Sequence, residues 1–327
     1  MTGQIRRSLP RSASSASMDL SGRTIGVLCA TLSVVLFSSF TLVSRLGLSS
    51  SLTLPDIAAL RFGIGGALLL PVLLRHGLAG VRPRDAGALA LFGGLGFAPL
   101  AYAGFSLAPA AHGAVLLHGT LPLFTLGVSS VALRHGGTRY QSVGVALIGV
   151  GVALMAYDSL VGASARQLMG DMCLLLASLL WSSYGVLTRR LGLPAAQGAA
   201  IVAVWSMCCF LPVYAVLPGK ALFLAGRGEL LLQAVFQGVL IGAVSIFVYT
   251  RAVAALGPAQ TALFAAAVPC VTTIAAVPLL SETPSIAAAI GVGVATLGMV
   301  VALRRAEDRP RAGSCNPNSP AGRMRKR

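Results

Sequence analysis

Charge is what this sequence lacks most. Only 10% of its 327 residues are charged and nine are acidic, where an ordinary soluble domain carries about a quarter. Too few charges remain to coat a surface facing water, which excludes a water-soluble fold. Cysteine chemistry is missing too. Cys29, Cys173, Cys208, Cys209 and Cys270 lie in apolar stretches and Cys315 in a polar tail, with no zinc, redox or disulfide spacing. There is no P-loop, no H-E-x-x-H, no nucleophile–base pair within the apolar runs and no base-stacking motif. The net charge of +16 sits between the apolar runs and in the tails, so it reads as an orientation signal rather than a nucleic-acid surface. No metal, cofactor or nucleic acid is expected.

What is there is apolar length. A membrane span needs about 20 mostly apolar residues, and ten runs qualify: 24–44, 56–75, 86–107, 110–133, 140–157, 170–190, 197–217, 230–255, 259–280 and 285–303. The spacing predicts an all-α integral membrane protein of about ten transmembrane helices, with lipid as its first partner. Residues 1–23 are polar and 304–327 are basic and rich in Pro, Gly and Ser, so both read as disordered. The first run is too long for a secretory signal and lacks its cleavage site, so it stays as a span; Met18 could serve as initiator as well as Met1. Cytoplasmic loops carry the excess of Lys and Arg. With the N-terminus inside, 19 basic residues fall inside and four outside, Arg45, Arg166, Lys220 and Arg227. A multi-pass protein of the cell membrane with both termini cytoplasmic is expected.

The chain repeats itself. At an offset of 144 residues Gly26 meets Gly170, Cys29 meets Cys173, and Phe37-Ser38-Ser39-Phe40 meets Trp181-Ser182-Ser183-Tyr184. At 147, Tyr102 falls on Tyr249, Pro122 on Pro269, Gly144 on Gly291 and Gly151 on Gly298. Residues 24–157 and 170–303 are therefore two copies of one five-helix unit. Because five is odd, the second copy enters the membrane from the opposite side, which makes two inverted five-helix repeats, the architecture of alternating-access carriers.

These stretches resemble a known family. GDMCLLLASLLWSSYGVLTRRLG from Gly170, YTRAVAALGPAQTALFAAAVPCVTTIAAVPLLSE from Tyr249, and the first-half copy AYAGFSLAPAAHGAVLLHGTLPLFTLGVSSVALRH from Ala101 are similar to the EamA-like branch of the drug/metabolite transporter superfamily. The resemblance implies a ten-helix carrier with a central cavity, exporting or exchanging amino acids, related metabolites or drugs. One departure stands out: the acidic residue that closes the fourth helix in the family is Glu282 in the second copy, but His135 in the first.

Candidate site residues follow from what the bilayer penalises. Proline lacks a backbone N–H and clashes with the carbonyl four residues back, so Pro122 frees the carbonyl of His118 and Pro269 that of Ala265. Free carbonyls at that depth are tolerated only against protein or a water-filled cavity. They form either a symmetric pair of substrate or ion contacts or two packing kinks. His118 adds an ionisable ring at the same depth, fit to bind substrate or relay a proton, or to bond across helices as a neutral group; His112 lies nearer the edge. Arg61 and Arg251 are the guanidinium groups inside spans. They either snorkel to the headgroups or attract a carboxylate or phosphate, and Arg61 is the preferred binding residue. Tyr102, Trp181, Tyr184, Tyr249 and Gln260 complete the substrate-binding candidates, with Phe37 as a further wall. Gly144, Gly151, Gly291 and Gly298 give the last helix of each unit a small face for close helix contact, within the fold or in a homodimer. A secondary transporter of a small metabolite, with a proton or counter-substrate as partner, accounts for these features; the competing class is an intramembrane enzyme or receptor.

Overall fold

A computed structural model describes residues 12–78, 80–132, 139–162, 165–265, 267–281 and 283–303. Glu282, His135, Cys315 and the C-terminal tail lie outside them. The described residues form helices and no strand: α1 Ser12–Leu48, α2 Leu54–His76, α3 Pro83–Leu107, α4 Ala110–Ala132, α5 Arg139–Gly162, α6 Ala165–Leu191, α7 Ala195–Val216, α8 Arg227–Leu256, α9 Pro258–Leu280 and α10 Ile286–Leu303. Eight of them, α1 to α4 and α6 to α9, are long and apolar enough to cross a membrane. α5 and α10 carry shorter apolar segments, Arg139–Leu154 and Ala289–Ala302. Large apolar side chains such as Leu28, Leu74, Val131 and Ile274 point outward, the reverse of a water-soluble protein, as a lipid-facing surface requires.

Proline and glycine set the boundaries. α2 opens on a Thr53 capping box with Pro55 in its first turn, α3 begins at Pro83, α7 follows Pro194 and α9 begins at Pro258. Proline suits a first turn, whose N–H groups have no intrahelical partner. Gly77, Gly192 and Gly257, at φ of 59°, 62° and 88°, follow the ends of α2, α6 and α8, because a residue without Cβ takes a positive φ freely. At the N-terminus helix begins at Ser12, well before the disordered boundary at 23 expected from polarity. No proline lies between Ser12 and Leu48, so nothing stops the first span extending backwards.

The halves interlock. α1 packs on α8 and α9, while α6 packs on α3 and α4; α2 meets α8 and α7 meets α3. α2 also pairs with α7, α4 with α9 and α5 with α10. Each contact between halves thus recurs with the roles exchanged. The α5–α10 seam uses the four glycines: a Cβ on Gly144 would lie 2.6 Å from the Gly298 carbonyl, one on Gly298 2.6 Å from the Gly144 carbonyl, and one on Gly151 2.5 Å from that of Gly291. The small face is spent inside one chain, as close backbone approach in lipid favours.

Candidate functional site

Four helices depart from regular α geometry where the halves meet. α3 has a π-helical turn at Leu91–Leu95 and α8, its repeat partner, one at Ala234–Ser245. α4 is π-helical over Gly113–Gly119 and breaks at Thr120 before resuming at Leu121. α9 breaks at the matching place, resuming at Val268 after Ala267. Pro122 and Pro269 therefore sit in the first turn of a resumed half-helix instead of bending a continuous one. The His118 carbonyl expected to be free accepts from the Thr120 N–H. The two breaks face one another, since a Cβ on Gly119 would touch the Pro269 ring at 3.4 Å.

Around these breaks lies a cage of buried rings. Phe37 and its repeat partner Trp181 meet edge-on, centroids 5.6 Å apart; His118 stacks on Phe37 at 5.2 Å, Phe97 lies 4.6 Å from Trp181 and Tyr249 5.0 Å from Trp181. Tyr184 packs on Trp181 at 5.3 Å and on Tyr249 at 6.3 Å, and its hydroxyl bonds Thr250 Oγ1 at 2.6 Å. Phe37, Phe97, Leu117, His118, Leu121 and Trp181 enclose a cavity of about 10 Å³, room for about one water. Three polar groups in this region, His118 Nδ1, Trp181 Nε1 and Tyr249 OH, are buried without a hydrogen-bond partner. Buried polar atoms are nearly always partnered because leaving one bare costs about 1–3 kcal/mol, so their concentration here is informative.

Arg61 adjoins the cage. It is 2% exposed, which rules out snorkelling, and its guanidinium lies over Phe40 at 5.3 Å and Phe97 at 5.5 Å. α2 can bring it there because Gly65 meets Gly242 of α8 backbone to backbone, a Cβ on Gly65 falling 2.9 Å from the Gly242 carbonyl carbon. A polar chain runs onward: the Arg61 side chain lies beside the Tyr102 hydroxyl, which donates to Gln237 Oε1 at 3.0 Å, and Gln237 Nε2 donates to Ser44 Oγ at 3.0 Å. Arg251, by contrast, is exposed. Gln260, at the start of α9, is half-buried and shares no hydrogen bond or ring contact with the cluster, so the structure gathers every named binding residue except that one.

Residues that sequence reasoning passed over also take part. Gln237 joins Tyr102 to α1. Asp171, in the first turns of α6, is buried and pairs with His112 Nδ1 at 3.2 Å. Asp56 is wholly buried and accepts from the Thr53 N–H (2.9 Å) and hydroxyl (2.6 Å), the Tyr214 hydroxyl (2.6 Å) and the Ala221 N–H (3.1 Å), tying α2 to α7. Arg45, ending α1, donates to the Phe105 and Ala108 carbonyls at the end of α3; Arg189, its partner at an offset of 144, donates to the Ala254 carbonyl at the end of α8. That offset was the available signal for the arginine pair.

Comparison with known proteins bears on the family and the fold. The model of the EamA-like transporter family matches residues 24–157 and again 168–304. The chain is 25% identical over 232 residues to the uncharacterized transporter YyaM of Bacillus subtilis (strain 168), covering 66% of this chain and 74% of that one. A solved crystal structure aligns with a TM-score of 0.64 at 21% identity, over 88% of this chain and 99% of the other; at that identity the likeness concerns the fold alone.

Proposed function

Because the chain belongs to the EamA-like transporter family, within the drug/metabolite transporter superfamily, we propose that it is a secondary carrier moving a small metabolite by alternating access, as an exporter or exchanger. In this reading the ten helices form two inverted five-helix repeats in the cell membrane. Both termini are cytoplasmic, so that Arg45 lies at the outer end of the bundle and Arg189 at the inner end. The reading is carried by one observation: buried, unpartnered polar groups and rings from both halves converge on one cavity beside paired helix breaks. Interrupted helices at a repeat interface offer backbone groups to a substrate and places to bend. His118, Trp181 and Tyr249 supply the bonding groups, and opening on either side enlarges the cavity while the other side stays shut. Arg45 and Arg189 hold the far ends of α3 and α8 and act as the outer and inner latches.

At the inner mouth, Arg82, Arg84 and Arg190 with Asp85 line a cavity of about 460 Å³, a basic vestibule suited to gathering anions. Reconstitution tests the carrier reading. Purified protein in liposomes with an imposed pH gradient should take up labelled amino acids or aryl carboxylates unchanged and saturably. Chemical conversion of the probe, or no uptake of any probe by folded protein, would replace it with the enzyme or receptor class.

A further inference from the structure

The surroundings of Arg61 narrow the substrate. A guanidinium does not lose its proton in a protein, so Arg61 carries a full positive charge although it is 2% exposed. Among the described residues it forms no ion pair, and the carboxylates that are themselves buried are committed elsewhere: Asp56 accepts four hydrogen bonds and Asp171 pairs with His112. The Phe40 and Phe97 faces offset part of the charge, with the Tyr102 hydroxyl alongside. Arg61 Nη1 is left with no partner. A buried charge without a counter-charge is among the least tolerated arrangements in a membrane interior. Tyr102, Gln237 and Ser44 satisfy one another, so the missing bond is an acceptor, and the missing charge is one negative unit.

We propose that Arg61 docks a monoanionic carboxylate of the transported molecule, with the molecule's apolar body lying past Phe97 into the ring cage. The inference rests on the carrier reading. A single charge is specified because Arg61 is the one buried Lys or Arg among the described residues, which suits a carboxylate better than a phosphate dianion. An apolar body is specified because Phe97 touches both Arg61 and Trp181, and the cavity beyond is walled by Phe37, Leu117 and Leu121. No buried carboxylate is open to receive an ammonium, so a simple carboxylic acid is favoured over a zwitterionic amino acid.

Phenylacetate is the probe, with phenylalanine, phenylacetamide, phenethylamine and inorganic phosphate as comparison arms. Purified wild-type protein should bind phenylacetate saturably and melt higher in its presence, and the amide, the amine and phosphate should not compete. Arg61→Lys, which keeps the charge and loses the planar fork, should weaken binding about tenfold, and Arg61→Met should abolish it. Arg61→Met without ligand should melt no lower than wild type, since it removes an uncompensated charge; a purely structural arginine would lower it. Should Arg61→Met fail to fold, the wild-type and Arg61→Lys titrations decide. Competition by the amide or amine equal to that of phenylacetate, or a wild type indifferent to phenylacetate, overturns the inference. Phenylacetate that binds but does not cross a liposome membrane leaves the anion site standing and removes the carrier; accumulation of phenethylamine with no phenylacetate binding does the reverse.

Discussion

In the first half Tyr102 packs on Phe40 at 5.7 Å; in the second Tyr249 packs on Tyr184 at 6.3 Å. Phe37 answers Trp181, Arg45 answers Arg189, the break at Thr120 answers that at Ala267, and the close approach of Gly151 to Gly291 answers that of Gly298 to Gly144. Three other ionisable groups, His118, Arg61 and Asp171, have no such answers. His118 faces a second-half position occupied by Ala265, α7 has no charged residue to match Arg61, and Asp171 corresponds to Val27. Duplication preserved what holds the helices together, where each half needs the same contacts. In the proposed carrier the substrate contacts sit in one copy, because a substrate in a single shared chamber needs only one partner for each of its groups.

That division can be broken most sharply at the single-copy residues. Arg61→Ala should lower transport by about a hundredfold and His118→Ala by about tenfold, the scale of losing a buried charge partner and a buried hydrogen bond. Arg251→Ala should stay within about twofold, since Arg251 is exposed. Initial rates in liposomes measure all three, and wild-type flux in both Arg61→Ala and His118→Ala would remove the assignment. The framework should respond differently. Gly151→Ala and Gly298→Ala, substitutions at repeat partners, drive a methyl to 2.5 Å and 2.6 Å from a carbonyl, so each should cost about 1–3 kcal/mol, matched within about 0.5 kcal/mol. Unequal losses in thermal unfolding would show that the seam is not a symmetric support.

The repeat and the ring cage were legible in the sequence because they are carried by identity at fixed offset: Cys29 with Cys173, the Phe37 and Trp181 patches, Tyr102 with Tyr249. The pairing of His112 with Asp171 was not, because it joins two helices whose facing sides no periodicity reports. The burial of Arg61 was open for a similar reason, since a guanidinium one-third along a helix reaches a headgroup or a core depending on rotation. Proline signalled trouble near His118 but not its form, a break that gives the freed carbonyl a new donor. Because the His112–Asp171 bridge exists in one half only, Asp171→Asn and His112→Gln should couple by about 1–2 kcal/mol in a double-mutant cycle of unfolding. Additive losses would mean that the two groups touch without supporting each other.

The arginine pair gives the smallest effect and the finest comparison. Arg45 is half-buried and donates to two carbonyls at the end of α3, whereas Arg189 is exposed and donates to one at the end of α8. An exposed charge-assisted contact is worth about 0.2–1 kcal/mol and a partly buried one more. Hydrogen exchange should therefore speed up at residues 104–108 alone in Arg45→Gln, and at 252–257 alone, by only about twofold, in Arg189→Gln. If each substitution loosened both ends equally, the two arginines would be acting on global stability rather than as separate latches. If each acts only at its own end, the outer and inner closures of the proposed carrier are built from the same duplicated contact, held more tightly on the Arg45 side. In the proposed topology the resting protein then favours a closed outer face and opens first toward the basic vestibule of Arg82, Arg84 and Arg190.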